Sequence, residues 1–296
     1  MRDAAGLVGL VGDWLGPLGP VTLVAHDPSR VVADPAGLVA ALDDLPSPAG
    51  PPPGARVGSG WLGILGYQLG RLFERVPPPA AEPAGGPGFL GYYESVLCFD
   101  ERDASWSFEA VVEDGAEQRI EDRFAHDLAA LERAAGAAGD PRAYAVGDYV
   151  LEPSAIDHAA AVAAVKSYIE AGDVFQVNAC LHAIATFEGD ALDLCCAGFE
   201  RLAPRFGAFV RTRSGAICCF SPELFLRATG RSVLTSPIKG TARRPAQPAA
   251  ADLARAALVA SAKDAAENAM IVDLMRNDLG RVCTPGSVRV AELARA

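Results

Sequence analysis

The sequence predicts an α+β chain in which antiparallel hairpins and helices alternate. Strand-like runs recur in pairs around turn residues, as at Leu224 to Arg227 and Ser232 to Thr235 on either side of Ala228-Thr229-Gly230. From Val174 to Phe187 the odd positions Phe175, Val177, Ala179, Leu181, Ala183, Ala185 and Phe187 are all apolar, while the even set holds Gln176, Asn178, His182 and Thr186. That alternation predicts one long antiparallel strand with a buried face and a polar face able to line a pocket or meet water. Between these segments lie helical patterns with recognisable caps. With 296 residues, half of them hydrophobic, the chain has room for one large or two ordinary domains.

Taken in order, residues 1 to 45 read as helix, strand (Val21 to Ala25) and helix (Leu38 to Leu42), and Pro46 to Pro53 as a proline-rich loop. Gly58-Ser59-Gly60-Trp61-Leu62-Gly63 matches G-x-G-x-x-G but follows Pro51-Pro52-Pro53-Gly54 rather than a strand. It therefore reads as a glycine-spaced strand in close packing, not a dinucleotide fingerprint. Pro77 to Pro87 is a second loop. Tyr92 to Phe99 and Trp106 to Val112 pair around Asp100-Glu101-Arg102-Asp103, and Gln118 to Ala137 is an amphipathic helix. A boundary within residues 138–152 divides an N-terminal region, 1–138, from a second region, 139–296. Ser154 can cap a helix that runs to Ala171 and stops at Gly172. Asp193 to Leu202 is helical, Ala208 to Arg213 and Ala216 to Phe220 form a hairpin, and Pro245 to Pro248 is a loop. Ala251 to Asp278 is helical with a break before Ser261, and Ser287 to Val290 is strand-like.

Composition narrows the function classes. A net charge of −11 argues against a nucleic-acid groove or an anionic membrane surface as the main partner. Seven cysteines, two pairs of them adjacent (Cys195-Cys196 and Cys218-Cys219) and none in C-x-x-C, predict a reduced, cytoplasmic protein with cysteines as small core residues. Asp13 interrupts the apolar start, so no signal peptide is expected, and no run is long enough to span a membrane. His26, His126, His158 and His182 lack ligand spacing. There is no H-E-x-x-H, no G-x-S-x-G and no P-loop.

Chemistry concentrates around the Leu224–Thr235 hairpin. Its open ends carry Ser221-Pro222-Glu223 and Pro237-Ile238-Lys239-Gly240-Thr241, so a carboxyl and an amine can face one pocket. Both could equally be solvated surface charges. The chain uses Arg almost everywhere, with Lys166, Lys239 and Lys263 its only lysines. An amine that must lose its proton has to be a lysine. Gly240 and Thr241 offer exposed backbone and a hydroxyl to an anionic oxygen. Farther on, Glu267 shares a helix face with Ile271, Leu274 and Asp278. A carboxylate there needs a partner, either a metal ion or Arg276 or Arg281.

These blocks resemble a known family. Ile169-Glu170-Ala171-Gly172-Asp173-Val174-Phe175-Gln176-Val177-Asn178, Ser221-Pro222-Glu223, Pro237-Ile238-Lys239-Gly240-Thr241-Ala242-Arg243 and Ala266-Glu267-Asn268 through Asp278-Leu279-Gly280-Arg281 are similar, in order and spacing, to the chorismate-utilising enzymes. The resemblance implies two packed antiparallel sheets with helices outside, magnesium, and a glutamine amidotransferase partner that supplies ammonia. Lys239 and Asn268 resemble the branch that aminates chorismate at C4, giving 4-amino-4-deoxychorismate for folate or for a specialised metabolite. The anthranilate- and isochorismate-forming branches usually carry a small residue in place of this lysine.

By the same resemblance, Lys239 is the nucleophile at C2 and Glu223 the general acid for the leaving hydroxyl. Gly240 and Thr241 hold substrate oxygens, and Glu267 is a magnesium ligand. Family members continue past the position of Ala296. The resemblance therefore implies that the last third of the fold is missing, with a second metal-binding glutamate, a glycine-rich segment, and an arginine and tyrosine for substrate carboxylates. A fragment, one half of a split enzyme and a non-catalytic remnant are all compatible with that.

Overall fold

The computed structural model describes residues 4–43, 45, 55–78, 86–136, 143–243 and 245–293. In chain order its elements are β1 (Val8–Gly12), β2 (Val21–Ala25), β3 (Arg30–Val32), α1 (Pro35–Asp43), β4 (Gly60–Leu65), β5 (Gly88–Tyr93), β6 (Ser95–Asp100), β7 (Ser105–Ala110) and α2 (Glu117–Gly136). Then come β8 (Ala145–Val146), β9 (Val150–Glu152), α3 (Ala155–Ala171), β10 (His182–Ile184), β11 (Phe187–Glu188), α4 (Ala191–Leu202), β12 (Phe206–Thr212) and β13 (Gly215–Ser221). The last are β14 (Leu224–Thr229), β15 (Ser232–Ser236), α5 (Pro248–Val259) and α6 (Ala262–Gly280).

Two antiparallel sheets build the core. One is six-stranded, in the order β13-β12-β1-β2-β6-β7, and the other is three-stranded, β3-β5-β4. Val8, Leu10, Val21, Leu23, Val96 and Val210 of the first meet Phe89 and Tyr93 of the second, with Leu62 and Ile64 against them. Strand alternation puts these side chains on the facing surfaces and leaves the outer faces for helices. There α4 packs Cys195, Leu192 and Phe199 onto Phe209, and α1 packs Leu38 and Ala41 onto Leu90. The expectation of packed antiparallel sheets with helices outside is borne out. The large sheet takes strands from both sides of residue 138, because β1 pairs with β12 (Val8 opposite Val210) as well as with β2.

Buried charges in this half are paired. Glu109 accepts from the backbone N–H groups of Arg56, Val57 and Gly58 at 2.8, 2.8 and 3.1 Å, which fastens the approach to β4. Asp100 is gripped by Arg102 (2.8 Å) and Arg56. Hydrogen bonds from Arg102, first of all, hold its carboxyl well below the usual carboxylate range.

Most local readings hold. The β6–β7, β12–β13 and β14–β15 hairpins form as expected. Ser154 caps α3 by accepting from Asp157 N at 3.2 Å, and Gly172 is its C-cap. The break before Ser261 separates α5 from α6.

Three expectations are corrected. Residues 8–12 are strand β1, not helix, because Val8 and Leu10 point alternately into the inter-sheet core. The long strand over Val174 to Phe187 does not form. Only His182–Ile184 and Phe187–Glu188 find partners, in β9 and β8. Among the described residues no strand pairs with residues 173–181, and Phe175, Val177 and Leu181 are exposed. A period-two pattern becomes a strand only where another strand pairs with it. Ser287 to Val290 is likewise unpaired. The expected Pro46 to Pro53 loop, the middle of the Pro77 to Pro87 loop and the first part of the 138–152 boundary lie outside the described residues.

The second half is thinly covered. No described residue of α3, α5 or α6 is buried. β14 and β15 form a two-stranded sheet of their own. Phe225 is 77% exposed there. Among the described residues no helix is long and apolar enough to cross a membrane.

Candidate active site

The hairpin delivers its carboxyl and amine as its closure requires. Leu224 lies opposite Ser236 and Thr229 opposite Ser232, so residues 223 and 237–239 emerge side by side. Glu223 Oε1 accepts from the Ile238 N–H at 2.9 Å. Lys239 Nζ donates to the Ile238 carbonyl at 3.0 Å. The two side chains thus bracket one residue, a carboxyl on its N–H and an amine on its C=O. Ser221 Oγ accepts from Glu223 N at 3.2 Å and holds the turn into β14.

Gly240 lets the chain pass close to the α5–α6 junction. Its φ is +79°, and an added Cβ would lie 2.9 Å from Asp264 Cγ and 3.0 Å from Leu258 Cδ1. Any side chain there would be strained by the conformation and crowded by those neighbours. Ser261 caps α6 by accepting from Asp264 N at 3.3 Å. Asp264 and Glu267 are three residues apart and share a helix face, so the Lys239-Gly240 segment borders the face that carries Glu267. Glu267 is half-buried and accepts from Gln176 Nε2 at 3.4 Å. Arg276, one expected partner, instead contacts Asp273 at 3.3 Å. Thr241 follows Gly240 and is exposed.

Arg227 fastens the hairpin to the rest of the molecule. Its Nη2 donates to the carbonyls of Asp13 and, at 3.5 Å, Trp14, in the turn after β1. Trp14 is in turn held by its Nε1, which donates to Gly207 O at 3.0 Å. Gly16 leaves room for the guanidinium, since a Cβ there would sit 2.4 Å from Arg227 Nη1.

Of the five residues expected at the site, Glu223, Lys239 and Gly240 come together directly, Thr241 adjoins them, and Glu267 stands on the neighbouring helix. Arg227, Asp264 and Gln176 were not singled out for these roles. Only Asp264 left a local signal, as the acidic member of a Ser-x-x-Asp start to α6. Among the described residues no group of three or more His, Cys, Asp or Glu could hold a metal ion. Magnesium takes near-octahedral oxygen coordination, so Glu267 with an amide neighbour does not make a magnesium site by itself.

Residues 18–296 match the family model described as chorismate binding enzyme. The chain belongs to this family. It is 34% identical over 284 residues to aminodeoxychorismate synthase component 1 of Salmonella typhimurium, which covers 92% of this chain and 56% of that protein. It is 30% identical over 299 residues to anthranilate synthase component 1 of Streptomyces coelicolor, covering 95% and 58%. The chain spans about half the length of the curated relatives it matches, 56%, 50% and 49% for three of them. Among solved structures it is similar to anthranilate synthase component I from Streptococcus pneumoniae, with a TM-score of 0.64 at 20% identity over 88% of this chain and 61% of that one. At that identity the likeness concerns the fold: the family's packed antiparallel sheets are shared.

Proposed function

We propose that this member of the chorismate-binding family serves amination of chorismate at C4, giving 4-amino-4-deoxychorismate. The observation that supports it is the pairing of Glu223 and Lys239 around Ile238 at the open end of the hairpin. Lys239, as the free amine, attacks C2 of chorismate. The ring double bonds shift and the C4 hydroxyl leaves as water, with Glu223 supplying the proton. Ammonia then adds at C4, the double bonds shift back, and Lys239 is expelled. Net, one ammonia replaces one hydroxyl, which is released as water. Gly240 and Thr241 hold substrate oxygens beside the lysine. Glu267 would be one ligand of a magnesium ion whose other ligands lie outside the described cluster. The term component 1 in the relatives' names supports a second component, which we assign as a glutamine amidotransferase that supplies the ammonia.

A second reading, anthranilate formation, is favoured by the match to an anthranilate synthase component 1. The test separates them. The purified chain is incubated with chorismate, ammonium and Mg²⁺. Products are followed by chromatography and Lys239 by peptide mass. The expected result is 4-amino-4-deoxychorismate, an adduct of chorismate less one water on Lys239, and loss of both in Lys239→Ala. Amination undiminished in Lys239→Ala would overturn the mechanism. Anthranilate as product would favour the second reading. Chorismate bound but unconverted would leave a binding role without catalysis.

A further inference from the structure

Two thiols meet where α4 crosses the six-stranded sheet. Cys195 of α4 is fully buried, and Cys218 of β13 is half-buried. Both pack in the cluster formed by Leu7, Phe209, Leu192 and Phe199. Cys195 Sγ donates to the Ala208 carbonyl of β12 at 3.8 Å, and Cys218 Sγ donates to the Ala191 carbonyl at the start of α4 at 3.5 Å. Each sulfur therefore reaches across the helix–sheet interface toward the other's side, with Cys218 Sγ against the carbonyl one helical turn before Cys195. Phe209 lies directly opposite Cys218 on the paired strand and shares its face toward α4. Cys219, the next residue, points to the other face of the sheet.

The two thiols differ in character. The neighbouring Cys218 sulfur and burial push the Cys195 thiol up. The neighbouring Cys195 sulfur, helped by the Arg211 guanidinium, holds the Cys218 thiol below its usual range against the opposing effect of burial. Cys218 is thus the more accessible partner, and Cys195 the sheltered one. That division suits an attacking and a resolving cysteine.

The geometry points to Cys195 and Cys218 as a reversible disulfide-forming pair, oxidised by a hydroperoxide, that ties α4 to β13. In the first step the Cys218 thiolate attacks the peroxide oxygen. The O–O bond breaks, one oxygen stays on Cys218 as a sulfenic acid, and the other leaves as hydroxide, which takes up the proton lost by the thiol and becomes water. In the second step the Cys195 sulfur attacks the sulfenic sulfur and a second water leaves. Two thiols are oxidised to one disulfide and one peroxide is reduced to two waters. A dithiol reductant reverses the change. The bond would anchor the strand that ends at Ser221, two residues before Glu223. The pair stands on its own geometry, whatever reaction the hairpin performs.

The test treats the reduced chain, dilute enough to suppress links between molecules, with one equivalent of hydrogen peroxide. Free thiols are counted in denaturant, and peptides are mapped with and without reduction. All seven cysteines start reduced, in no disulfide. The expected result is loss of two thiols, a single link between Cys195 and Cys218, and a thermal midpoint higher by about 5 °C that reverts on reduction. Cys196→Ser and Cys219→Ser should keep the link, because Cys196 is exposed and Cys219 lies on the other face of the sheet. Cys195→Ala should leave Cys218 as a sulfenic acid that a 1,3-dione reagent captures. The proposal is overturned if the link runs to Cys196 or Cys219, if only links between molecules form through exposed Cys180, or if the thiol count does not fall. The wild-type map decides the matter even if a cysteine variant fails to fold.

Discussion

Replacing Arg227 by methionine tests whether the hairpin is held to the sheet by one side chain. Methionine keeps an unbranched apolar stem and removes only the guanidinium. What is lost is the donation to Asp13 O, with a weaker second contact at 3.5 Å to Trp14 O. A hydrogen bond from a charged donor contributes about 1.5–3 kcal/mol net, and the second contact is too long to add much. At about 1.4 kcal/mol per tenfold, local opening of the hairpin should rise roughly 10- to 100-fold. Hydrogen exchange read amide by amide supplies the assay. Amides of 224–236 should exchange faster by that factor, while those of β1, β2 and β6 keep their protection. Gly16→Ala, which drives a Cβ against the same guanidinium, should reproduce the pattern. Two results would refute the reasoning. Unchanged protection in the hairpin would mean that Arg227 fastens nothing. A uniform loss across both sheets would mean that it supports the whole fold and not this one attachment.

Other expectations follow from the same geometry. Gly240→Ala forces a Cβ into Asp264 and Leu258 at a φ of +79°. The left-handed backbone alone costs about 1–2 kcal/mol. Thermal unfolding should shift down, and the proposed chorismate adduct on Lys239 should form more slowly; an unchanged melt would show that the α5–α6 junction yields freely. Acid should weaken the six-stranded sheet through Asp100. Its carboxyl is held low in the folded chain by Arg102, so its contribution is complete above the unfolded value near 4 and is lost as pH falls below that. Urea midpoints measured from pH 5 down to pH 3 should therefore fall more steeply for the wild type than for Asp100→Asn, and parallel slopes would count against the pairing.

What the sequence reveals here is mostly what short-range chemistry decides. The β14–β15 hairpin is readable because Gly230 and its neighbours close it locally, and closure alone puts Glu223 beside Lys239. The Ser154 and Gly172 caps of α3 and the Ser261 start of α6 are readable for the same reason. Strand β1 was missed because its pairing with β12 lies far along the chain, and a short apolar stretch fits helix or strand equally well. Val174 to Phe187 failed in the opposite sense, with a clean local pattern and too few partners to realise it. At the site, the grip of Gln176 on Glu267, the nearness of Gly240 to Asp264 and the reach of Arg227 to Asp13 all join segments distant in sequence. No residue pattern announces such contacts; they exist only once the helices and sheets have met.

The pairing of Val8 with Val210 also sets an order of events during synthesis. β1 lies in the middle of the large sheet, yet one of its neighbours emerges from the ribosome long after it. Until β12 arrives, β1 offers an unpaired edge beside β2, and the inter-sheet core lacks Val210. Closing so long a loop is slow, and the waiting edge invites wrong partners. The nascent N-terminal half is thus a natural client for chaperones, and production at low temperature or slow translation should favour the native pairing.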